Sequence, residues 1–137
     1  MIELYREQFK PSEVLAEPRT FLTVNAAVAE TREEAERRAL PQLLTMLRLR
    51  TGQPLTAQPS IEEAEKTEIA PAHEGLIASM RGRWVIGSAE EARTQLAEMA
   101  AEYAVDEVMV NPVSGAYETD EPRTSPGRED TLRLLAR

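Results

Sequence analysis

The chain has 137 residues, 42% of them hydrophobic and 29% charged, the balance of a globular protein rather than a disordered one. Its 24 acidic residues against 16 Lys and Arg leave a net charge of −8, which argues against nucleic acid as a partner. The absence of cysteine excludes disulfides, thiolate nucleophiles and sulfur-ligated metals, and no apolar run approaches the roughly 20 residues needed to cross a bilayer.

The first residues are charged from Glu3 onward, unlike a signal peptide, so a soluble cytoplasmic protein with no membrane partner is expected. Residues 2–9 can form two turns of helix, stopped by Pro11. Residues 20–28 predict a strand that is apolar on both faces apart from Thr23 and Asn25. Such a strand expects cover on both sides, as in parallel α/β sheets. Thr31 with Glu34 reads as a capping box that opens a helix over 32–50, with Ala35, Ala39, Leu43, Leu44 and Leu47 largely on one side. Pro41 should kink or restart that helix, and Gly52 closes it.

Residues 53–60 read as a linker. Ser60 and Glu63 form a second capping box before a short acidic helix over 61–69. A further helix over 72–81 carries Leu76, Ile77 and Met80, while Trp84-Val85-Ile86 is too short to predict a strand. Ser88 and Glu91 make the third capping box, ahead of a helix over 89–103 with its stripe at Ala92, Leu96, Met99 and Tyr103. Residues 105–111 form the second strand, ended by Pro112. Residues 112–127, with Gly115, Gly127 and three prolines, are expected to be a mobile loop before a last helix over 128–136.

Strands alternating with helices predict a parallel α/β arrangement in a single domain over 1–137. Only two strands are visible, and a two-stranded parallel sheet has two open edges. The expectation is therefore a homo-oligomer formed through the strand edges and the region around Trp84, where Arg81 and Arg83 add the residue types that favour contacts.

Two groups of residues carry a resemblance. Tyr5-Arg6-Glu7-Gln8-Phe9-Lys10-Pro11-Ser12 leads into the first strand and on to Glu30-Thr31-Arg32-Glu33-Glu34-Ala35. Val85-Ile86-Gly87-Ser88-Ala89-Glu90-Glu91 then leads through Leu96 to Asp106-Glu107-Val108-Met109-Val110. In these segments the chain resembles the C-terminal part of the bacterial luciferase-like flavin-dependent monooxygenases. The resemblance implies a C-terminal segment of a (β/α)8 barrel, with about two parallel strands and four to six helices and its edges completed by oligomerisation. A full barrel takes about 250 residues, so the missing barrel portion would be a partner. It also implies FMN as the family's cofactor. No flavin is expected on this chain alone, because the family's flavin-holding positions lie on the absent strands.

In a barrel, active sites lie at the C-terminal ends of strands, which singles out Asn111, while Asn25 could face the barrel centre. Both are pocket-rim candidates for a flavin or substrate. The plainer readings are that Asn111 starts the turn before Pro112 and that Asn25 is a hydrogen-bonded strand residue. His73, the sole histidine, lacks the second ligand that a metal site needs. Glu62, Glu63, Glu65 and Glu68 read as a solvated helix face, Asp106 and Glu107 alternate to opposite faces, and Gly87-Ser88 is explained by its cap. No catalytic residue is identified. Three functions follow as expectations: a monooxygenase portion that is catalytically incomplete alone, a non-catalytic self-associating remnant, or a binding module for a related barrel enzyme.

Overall fold

The computed structural model describes all residues, Met1–Arg137. Strand β1 (Phe21–Ala29) lies at the centre of a three-stranded parallel sheet, with β2 (Val85–Ser88) on one side and β3 (Glu107–Pro112) on the other. Six helices accompany it: α1 (Ile2–Gln8), α2 (Arg32–Arg50), α3 (Ile61–Glu65), α4 (Pro71–Arg81), α5 (Ala89–Tyr103) and α6 (Pro126–Leu135).

Alternation along β1 divides the core into two. Ala27 and Ala29 join Ile86 under the α2 and α4 side chains Ala35, Ala39, Leu43, Leu47, Ile77 and Met80. Val24, Ala26 and Val28 face the other way with Val85, against Ala92 of α5 and Leu134 of α6. The alanines of β1 let helices approach closely on both faces, so a chain with few aromatics still closes two cores.

This arrangement corrects two expectations. The sheet has three strands rather than two, because Val85–Ser88 pairs with Ala26–Ala29. A four-residue strand is too short to show a period, and its partner exists only in three dimensions. Nor is the sheet evidently a segment of a (β/α)8 barrel. Barrel strands carry helices on the outer face only, whereas here helices cover both faces of the sheet where β2 meets β1.

Local signals hold at several helix starts. Ser60–Glu63 and Ser88–Glu91 form complete capping boxes. Gly87 belongs to the second: a Cβ there would lie 2.6 Å from Glu91 Oε2, the atom that accepts the Ser88 N–H. Thr31 accepts from the Glu34 N–H, but the Glu34 carboxylate points elsewhere, so that box is half made. Pro41 does not end α2, which continues to Arg50. Beside the proline, the Gly115 N–H donates to Arg38 O at 2.7 Å, and a Cβ on Gly115 would sit 2.6 Å from the proline ring.

Two side chains stand in for missing strands. The Gln95 amide accepts from Ile86 N–H (3.3 Å) and donates to Ile86 O (3.1 Å), closing the outer edge of β2. Fully buried Thr131 does the same for Val28, beyond the end of β3, at 3.1 and 3.3 Å. The outer edge of β3 carries no such cover. Residues 113–125, expected to be loose, are held down: Val113 and Ser114 are buried, Ala116 O accepts from Ile61 N–H, and the Tyr117 hydroxyl donates to Glu34. No helix is long and apolar enough to cross a membrane.

Candidate functional site

The helices of the first core cover only the C-terminal end of β1, and β2 pairs only with Ala26–Ala29. The first half of that sheet face is therefore bare. Register brings Phe21 beside Glu107, Thr23 beside Met109 and Asn25 beside Asn111 on one surface. Phe21 is 58% exposed and Met109 56%, a high exposure for large apolar side chains in a sheet.

Both sequence candidates lie here, paired with each other. Asn111 Nδ2 donates to Asn25 Oδ1 at 2.8 Å across the β1–β3 ladder. Asn111 lies within β3 and so does Pro112, so this asparagine is a strand residue and not the start of a turn. In this amide orientation, the pair leaves wholly unengaged a donor group, Asn25 Nδ2, and an acceptor atom, Asn111 Oδ1. Sequence placed both residues at a rim; their cross-strand pairing depends on a register that only the fold sets.

Beside Asn25 opens a cleft of about 230 Å³, lined by Thr23 and Asn25 of β1, Arg50 of α2, and Met80, Arg83 and Trp84 around the end of α4. Trp84 is buried in the core and forms a wall of this cleft, so it is not the exposed patch read from the sequence. Arg50 was missed, having no local motif.

Several of the other candidates serve the scaffold. Glu65 pairs with Arg37 at 2.6 Å, Glu62 accepts from the Glu118 N–H, and Glu63 completes its cap. Asp106 Oδ2 accepts weakly from Thr20 N–H at 3.4 Å, and Glu107 is exposed on the bare face. His73 is half-buried in the first turn of α4.

The most connected polar cluster lies elsewhere, around Glu34. Its carboxylate takes the Tyr117 hydroxyl at 2.6 and 2.8 Å and Arg38 Nε at 2.7 Å, while Arg38 also reaches Asp130 at 3.0 Å. Burial pushes the Glu34 carboxyl up, but the bonds from Tyr117 and Arg38 outweigh it and hold the group below its ordinary value. Burial and the Glu34 carboxylate together push Tyr117 up to about 12. Every member has a partner inside the cluster, so it ties the 113–125 loop to α2 rather than forming an open site.

No family model matches the sequence. The chain is similar to the uncharacterized protein YceB of Bacillus subtilis (strain 168), with 39% identity over 108 residues, covering 78% of this chain and 32% of that protein. It is also similar to the uncharacterized protein YwcH of the same organism, with 30% identity over 117 residues, covering 85% of this chain and 35% of that one. The chain thus spans about a third of the length of these curated relatives. Among solved structures, the crystal structure of apo-MsnO8 matches with a TM-score of 0.76 and 28% identity, over 98% of this chain and 39% of that one.

These findings overturn the luciferase-like resemblance. What the chain shares with MsnO8 extends over nearly all of its three-stranded α/β unit, and none of the similar proteins is described as luciferase-like. Short Glu-rich caps and a Val-Met-Val strand recur wherever capped helices feed parallel strands, which is why the motifs misled.

Proposed function

We propose that these 137 residues are one portion of a longer α/β oxidoreductase that works with a flavin, and that they are catalytically incomplete alone. The observation that carries the reading is the bare half-sheet with the Asn25–Asn111 pair, on a chain about a third as long as its relatives. An open sheet edge and an uncovered face ask for more polypeptide. The flavin rests on chemistry. The donor and acceptor left over on the two amides fit the imide edge of an isoalloxazine ring. The proposed location is the cytoplasm.

The test is absorbance and fluorescence of the purified chain with added FMN, beside a full-length relative such as YceB. The chain alone should retain no flavin, and the longer protein should retain it. Failure of the longer protein to bind flavin would remove the chemistry; tight binding by the chain alone would remove the incompleteness.

A second reading is favoured by one observation, the exposed Phe21 and Met109 beside the uncovered edge of β3. Here a second copy covers the face, giving a colourless homo-oligomer.

A further inference from the structure

We infer that the cleft beside Asn25 is a binding site for a small oxyanion, the phosphate or carboxylate group of a ligand with an apolar body. Two arginines from distant parts of the chain, Arg50 at the end of α2 and Arg83 after α4, converge on a space of about 230 Å³. Neither forms an ion pair, although the chain holds 24 carboxylates. Arg83 is steadied through Nε, which donates to Ser79 O at 3.3 Å and leaves its terminal nitrogens unengaged.

No carboxylate lines this cleft, whereas four larger clefts, of about 270 to 490 Å³, each include at least one glutamate. In a molecule of net charge −8, that is a local reversal of sign. A cleft lined by one sign of charge over low-dielectric walls concentrates the opposite ion. Two guanidinium forks suit the planar or tetrahedral oxygens of carboxylate and phosphate. Thr23 and Asn25 add neutral polar groups, and Met80 and Trp84 give an apolar wall for the body of the ligand. The inference stands whether or not the chain works with a flavin.

Trp84 is the single tryptophan and lines the cleft, so its fluorescence reports occupancy. The chain is titrated with inorganic phosphate and, separately, with benzoate, at ionic strength held constant with sodium chloride. A saturating change with at least one of them is expected, and the stronger of the two identifies the ligand's anion. Arg50→Gln and Arg83→Gln, both at exposed positions, should each weaken it by about tenfold, with circular dichroism unchanged. Arg128→Gln, outside the cleft, should leave it intact. A response that never saturates, that chloride reproduces, or that survives both cleft substitutions would overturn the site.

Discussion

Glu34 and Tyr117 lie 83 positions apart, and their contact decides how the 113–125 loop sits. A carboxylate whose pKa is depressed in the folded state stabilises the fold above the ordinary value of 4.5, and that contribution is lost as pH falls through the folded value. Tyr117→Phe removes one of the bonds that depress it. The expected result is a loss of about 1 kcal/mol at neutral pH in urea unfolding, and an acid-unfolding midpoint displaced toward higher pH. An unchanged midpoint would mean that the hydroxyl contributes nothing. Thr131 makes the same point about scale: in sequence it is one threonine in an amphipathic helix, and in the fold it pairs the backbone of Val28.

Among the elements, the helices were legible and the short strand was not. Capping residues act within one turn, so Ser60, Ser88 and the Glu three positions on could be read directly. The helix expected over 61–69 is only Ile61–Glu65, since Lys66 and Thr67 have few buried contacts to extend it. β2 holds four residues, one of them glycine, and its identity comes from lying beside Ala26–Ala29. Its outer edge is closed by Gln95 rather than left for a partner. Gln95→Ala should cost about 1 kcal/mol of stability and expose an unpaired strand edge. Light scattering would then detect association that increases with concentration and exceeds that of the parent chain at the same concentration.

For the molecule as a whole, the central fact is asymmetry. The C-terminal half of the sheet is roofed on both faces, and the N-terminal half is bare on one. If a second copy covers that face, Met109→Lys should abolish self-association by placing a charge on it. Sedimentation would show the parent chain shifting with concentration and the variant remaining a monomer. Equal behaviour of the two would assign the face to other polypeptide.

Sequence by itself determined the parallel α/β character and the helix starts. Each of these depends on neighbours within a few positions, through capping, periodicity or strand alternation. Only the tertiary structure decided the third strand, the side chains that close β2 and extend β1, the burial of Trp84, and the meeting of Arg50 with Arg83. Those features join residues tens of positions apart, and their pairing is set by how two cores pack on one sheet, which no local pattern encodes.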